Sequence, residues 1–155
     1  MILVSSCLAG MKVRYNGTDC LENRLKALLD SGRAVAVCPE LLGGFVTPRE
    51  PAEITGGTGR DVLDGRARVI DRSGKDVTAM YLEGAQITLD TALKFSVSTV
   101  VLKQNSPSCG SAFIYNGEFT GIKMSGEGVT AALLRKNGIE VISEQELADR
   151  LGELE

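Results

Sequence analysis

Histidine is absent from all 155 residues. Its absence removes the commonest metal ligand, the usual partner of a nucleophile in a catalytic triad and the usual general base near neutral pH. Proton transfer therefore falls to Glu, Asp, Lys, Tyr, Cys or water, and any soft metal has to be held mainly by sulfur. A surplus of positive charge is missing too: 17 Lys and Arg stand against 20 Asp and Glu, a formal net charge of -3. Without a run of Lys or Arg interleaved with aromatics, no nucleic-acid polymer is expected as a partner. No apolar run approaches the length needed to span a bilayer, so no membrane is expected as a partner and the cytoplasm is the expected address. The opening Leu3-Val4-Ser5-Ser6-Cys7 imitates a bacterial lipoprotein cleavage site. It lacks the basic segment and longer apolar region that such a signal places before its cysteine.

The remaining composition is that of a folded chain. Hydrophobic residues make up 43% and charged residues 24%, close to globular averages, and the length suits one domain with a single core over residues 1–155. The oligomeric state is not legible. Four cysteines are present; in a reducing compartment they are expected to be thiols, metal ligands or nucleophiles rather than disulfides.

Short β-branched runs at 1–6, 34–37, 99–103 and 139–142 read as buried strands, and helical spacing joins them. Leu21, Leu25, Leu28 and Leu29 form one helical stripe that Gly32 closes. Asp76 or Thr78 caps a longer helix to about Phe95, with Met80, Ala85, Leu89, Ala92 and Leu93 as its apolar face. A third helix runs from Val129 to Asn137-Gly138, and Ser143 with Glu146 makes a capping box for a last one. The glycine- and proline-rich stretch from Pro39 to Arg60 reads as a long functional loop. Asp64-Gly65 reads as a hairpin turn, and Asn116-Gly117 as a stronger one between 112–115 and 118–120. The glycine loop Gly126-Glu127-Gly128 before a helix suits either an anion or a plain turn. The expected fold class is α/β: a sandwich with a small, mainly parallel sheet, flanking helices and one or two β-hairpins.

Three cysteines occupy equivalent places in this pattern. Cys7 follows the first strand, Cys38 follows the second and is succeeded by Pro39 and Glu40, and Cys109 lies in the turn Ser106-Pro107-Ser108-Cys109-Gly110 after the third. If those strands are parallel neighbours, all three sulfurs emerge at one sheet edge, where open α/β sheets place ligands. Taken singly, Cys7 or Cys38 is equally a small packed residue, and Cys20, at the start of the first helix, reads that way. Cys7 with Arg14 resembles the phosphate loop of low-molecular-weight tyrosine phosphatases, but one residue too many separates the pair.

No CxxC pair is present, so the zinc-ribbon signature is missing. Three thiolates without histidine suit a thiophilic centre, and a four-iron, four-sulfide cluster held by three cysteines leaves one iron open as a Lewis acid. Glu40 is the carboxylate nearest a site cysteine in sequence, with a solvated loop residue as the ordinary alternative. Two other readings stay open at this point: a cluster- or metal-binding sensing or structural module without turnover, and a metal-free cysteine nucleophile.

The set Ser6-Cys7-Leu8 with Arg14-Tyr15-Asn16-Gly17, then Cys38-Pro39-Glu40 with Gly43-Gly44 and Pro48-Arg49, then Ser106-Pro107-Ser108-Cys109-Gly110, resembles the thiouracil desulfurase family of small bacterial iron-sulfur proteins. Gly84-Ala85, Tyr115 and the loop at 126–128 extend the resemblance over nearly the whole chain. It implies a 4Fe-4S cluster on Cys7, Cys38 and Cys109, and non-redox removal of sulfur from a small thiolated substrate such as 2-thiouracil. It further implies Glu40 as acid and base, Ser106 as an aid in positioning substrate or water, and Arg14, Arg49 and Ser108 as substrate-binding residues. Asn16 departs from the aspartate expected in the first motif, which puts a charge-based role there in doubt.

Overall fold

The computed structural model describes residues 2–6, 23–45, 49–103, 106–143 and 146. In chain order, β1 (Ile2–Ser5), α1 (Asn23–Asp30) and β2 (Ala34–Val37) are followed by a four-residue helix, α2 (Pro39–Leu42). Next come β3 (Ala52–Thr55), α3 (Gly59–Leu63), β4 (Arg68–Asp71) and the long α4 (Thr78–Lys94). The chain then forms β5 (Thr99–Leu102), β6 (Phe113–Tyr115), β7 (Lys123–Ser125), α5 (Val129–Lys136) and β8 (Glu140–Ser143).

The main sheet has the order β2-β1-β5-β8, and every neighbouring pair in it is parallel. Its strands are apolar almost throughout because both faces are covered. Leu3, Val100, Leu102 and Val141 join Leu89 and Ala92 of α4 and Ala131 and Leu134 of α5 in one core. Ile2, Val4, Val101 and Ile142, which alternate with them, are also buried and by the period of a strand face the other way. A second cluster sits beside the sheet, where Ile54, Val62, Val69, Ala85, Ile114 and Val129 pack around Tyr81.

The expected α/β sandwich is therefore observed, including the closing glycines: Gly32 and Gly138 both hold positive φ, 77° and 78°, just past α1 and α5. Asp76 is the side chain that caps α4, its Oδ1 accepting from both the amide and the hydroxyl of Thr78 at 2.9 and 2.6 Å. Ser143 and Glu146 contact each other as a capping box does, both Ser143 N and Oγ lying 3.3 Å from Glu146 Oε1; the helix expected beyond them lies outside the described residues. On α4, Leu93 leaves the predicted stripe and is exposed.

Three expectations need correction. The stretch from 39 to 60 is not one loop, because it holds α2, β3 and the start of α3. Asp64-Gly65 ends α3 rather than turning a hairpin; β4 pairs antiparallel with β3, upstream of that helix. The Asn116-Gly117 hairpin exists, yet its return strand is β7 at 123–125, not 118–120. Residues 116–122 form a wider loop because Glu53 of β3 accepts the amides of Gly117 and Phe119 at 2.9 and 3.2 Å, fastening the turn to β3. Among the described residues no helix is long and apolar enough to cross a membrane.

Candidate active site

The site lies at the carboxyl edge of the main sheet, where parallel strands deliver their successors side by side. Because β1 stands between β2 and β5, the carboxyl ends of these three strands are neighbours. Cys38 follows β2 directly and is half-buried, while Cys109, in the turn after β5, is buried. Cys7 follows β1 and Ser6 in the sequence and, like Arg14 and Cys20, lies outside the described residues. Burial pushes the Cys38 thiol pKa up, helped by the negative charge of Glu40 and opposed by the amides of Leu41 and Glu40 and by Arg49.

Glu40 enters the site from α2. Pro39 at the first helical position suits this turn, since its missing N–H has no partner to lose there. The helix is short, and its placement comes from a close approach to α4. A Cβ on Gly84 would overlap the carbonyl of Pro39, and one on Gly43 would overlap the carbonyl of Met80. Two glycines thus let the backbones of α2 and α4 touch, which brings Glu40 over Tyr81.

Three side chains converge on that carboxylate. Arg49 Nε donates to Glu40 Oε2 at 3.0 Å, and Tyr81 OH donates to the same oxygen at 2.9 Å. Ser106 Oγ donates to Oε1 at 3.4 Å. The Arg49 side chain is 6% exposed and that of Glu40 15%, so this is a sequestered ion pair rather than a surface one. Burial alone would lower the Arg49 pKa, but the charge and hydrogen bond of Glu40 outweigh it and raise the value. Burial pushes the Tyr81 phenol well above its ordinary range, with the Glu40 charge and hydrogen bond acting in the same direction. Tyr81 therefore stays a phenol and a donor. Phe45 stands edge-on to its ring, with centroids 5.1 Å apart, and the Arg49 guanidinium lies 6.0 Å from the Phe45 centroid.

Ser106 also builds the turn that carries Cys109. Its Oγ accepts the amides of Ser108 and Cys109 at 3.0 and 3.1 Å, which leaves the hydroxyl proton to point at Glu40. The turn is seated on the start of α5, where Val129 N donates to Pro107 O at 2.7 Å and Thr130 N to Ser108 O at 2.9 Å. Gly128 is required there because a Cβ would meet the Ser108 carbonyl at 2.5 Å. These bonds decide the choice left open for the 126–128 loop. The first amides of α5 are given to protein carbonyls, so the loop is a docking turn and not an anion cradle.

Ser108, expected from the sequence at the substrate, lies in this turn. It is fully buried, and its Oγ shares a 2.7 Å hydrogen bond with Thr130 Oγ1, so it anchors the turn. Arg49, expected at the substrate, has its Nε committed to Glu40. Tyr81 was not singled out from the sequence. The available signal was a tyrosine on the buried face of a helix, where the hydroxyl needs a partner.

Two thiols and a clamped carboxylate beside a third strand end are a sulfur-rich donor set with a proton-handling group next to it. That chemistry fits a thiolate-held iron-sulfur cluster, since the donors are cysteine sulfurs at turns and the only carboxylate in the clamp is held by other side chains. Among the described residues alone no group of three or more metal-ligating side chains assembles, as expected when Cys7 lies outside them.

The fold and the site define a parallel α/β protein with cysteines and a half-buried carboxylate just past its strand ends. The chain matches the 2-thiouracil desulfurase model over residues 2–146, and it belongs to that family. It is 60% identical over 151 residues to the protein YbbK of Bacillus subtilis (strain 168), covering 97% of this chain and all of YbbK. Among solved structures it is similar to the 4Fe-4S-dependent thiouracil desulfidase TudS, with 46% identity and a TM-score of 0.86 over 99% of this chain and 96% of that one.

Proposed function

We propose that this protein hydrolyses the thiocarbonyl of a small thiolated pyrimidine, with 2-thiouracil as the model substrate, using a 4Fe-4S cluster held by Cys7, Cys38 and Cys109. The water oxygen replaces sulfur on the ring carbon, sulfur leaves as hydrogen sulfide with both protons of the water, and no electrons are exchanged. The observation that supports this reading is the strand order β2-β1-β5: the carboxyl ends of the three strands that the cysteines follow in the sequence are adjacent, and Glu40 lies just after β2. When bound, a cluster with one iron free of protein ligands supplies a sulfur-seeking Lewis acid.

The chain's own groups do the rest. Glu40 takes a proton from the attacking water and returns it to the departing sulfur. Ser106 fixes the turn of Cys109 and, from its place at Oε1, helps to position the attacking water. The half-buried ion pair with Arg49 keeps Glu40 in place. Arg14, downstream of Cys7 in the sequence, is proposed to meet the substrate carbonyl.

Glu40→Gln is the test. The variant should reconstitute with wild-type iron content and release no measurable sulfide from 2-thiouracil, a loss of about 100-fold or more. Wild-type sulfide release from the loaded variant would remove Glu40 from the reaction.

A further inference from the structure

We propose that Tyr81 is a positioning residue for desulfuration: together with Arg49 it holds Glu40 Oε2, so that Oε1, on the Ser106 side, is the oxygen that exchanges the proton. This rests on the reading of Glu40 as the acid and base.

A carboxylate has two equivalent oxygens, and rotation about its last torsion interchanges them unless something tells them apart. Here the environment does. Oε2 accepts two bonds, at 2.9 Å from Tyr81 and 3.0 Å from Arg49, whereas Oε1 accepts one at 3.4 Å from Ser106. The first two lengths are those of good hydrogen bonds, and the third is at the long limit, the contact most readily exchanged for a water molecule. The donors on Oε2 come from different elements, one from α4 and one from the segment before β3, so no single torsion relaxes both.

Tyr81 is also the rigid member of the pair. It is only 2% exposed, lies within the second core cluster and has its ring braced by Phe45. Its helix touches α2 through Gly84 and Gly43, so the distance between the phenol and Glu40 is set by backbone contact. A group held this way limits the carboxylate to one orientation before substrate arrives, the kind of preorganisation that lowers a barrier without tightening binding. Tyr81 itself touches no substrate in this assignment.

Tyr81→Phe keeps the ring and removes the hydroxyl. After anaerobic reconstitution the variant should match wild type in iron and labile sulfide, keep KM for 2-thiouracil within about twofold and lose kcat by about 10- to 100-fold. A second readout needs neither cluster nor turnover. In the apoprotein, Tyr81→Phe should lower the melting temperature when Glu40 is present and fail to lower it in a Glu40→Ala background, where the buried hydroxyl has lost its acceptor. Unchanged kcat, a rise in KM with kcat intact, loss of the cluster, or the same melting shift in both backgrounds would each overturn the assignment. Glu40→Gln measured alongside separates the two failures. If it is inactive while Tyr81→Phe is fully active, only the positioning role falls; if it is fully active, the acid and base reading falls with it.

Discussion

Glu40 gathers three side chains that are distant along the chain, from Arg49 nine positions away to Tyr81 at 41 and Ser106 at 66. Its place in a Cys-Pro-Glu triplet was legible because the triplet is contiguous and follows a strand. The phenol that holds it was not, since nothing in the helix spacing of α4 says which residue lies opposite Tyr81. Ser108 sits in a readable motif, and its hydroxyl is turned to Thr130, a contact that the packing of α5 creates and the sequence does not show. A second residue, Asp76, yields a prediction about pH. Its hydrogen bonds to the side chain and amide of Thr78, together with Arg68, lower its carboxyl from 3.8 to about 2. A depressed folded-state pKa adds stability that is present above the unfolded value and vanishes as pH falls through the folded one. Asp76→Asn should therefore be less stable than wild type above about pH 4, with the difference closing towards pH 2 in chemical denaturation. A difference that persists unchanged at pH 2 would mean that the charge of Asp76 is not what stabilises the start of α4.

At the scale of elements, the contact of α2 with α4 decides where the carboxylate stands. Strands β1, β2, β5 and β8 and helices α1, α4 and α5 were legible from period and caps, because each is long enough or regular enough to show its own pattern. Helix α2 and strand β3 were not: α2 is a single turn of four residues, and β3, Ala52-Glu53-Ile54-Thr55 between Pro51 and Gly56, lacks the continuous apolar run of the main-sheet strands. The hairpin expected at Asp64-Gly65 failed for a related reason, since a Gly with φ of 80° closes a helix as readily as it turns a strand. Gly84→Ala tests the contact. The added methyl group would overlap the Pro39 carbonyl, so the variant should lose about 1–3 kcal/mol of stability and most of its activity as α2 is pushed off α4. Full stability and activity in that variant would show that the two backbones have room to spare.

At the scale of the whole molecule, the parallel sheet sets the carboxyl ends of β2, β1 and β5 side by side although the chain keeps them apart. That the sheet would be parallel was legible from continuous β-branched runs separated by helices; the strand order, with β1 between β2 and β5, was not, because nothing local in a strand says which other strand lies beside it. The order matters because it sets the carboxyl end of β1, which Cys7 follows in the sequence, between those of β2 and β5. The central claim is that these cysteines together hold a cluster, and its most direct test is iron and acid-labile sulfide content after anaerobic reconstitution of wild type and Cys109→Ala. About four irons and four sulfides per wild-type chain are expected, with sharply less in the variant. A colourless wild-type protein that takes up zinc or no metal, or a Cys109→Ala variant with undiminished iron, would contradict the account.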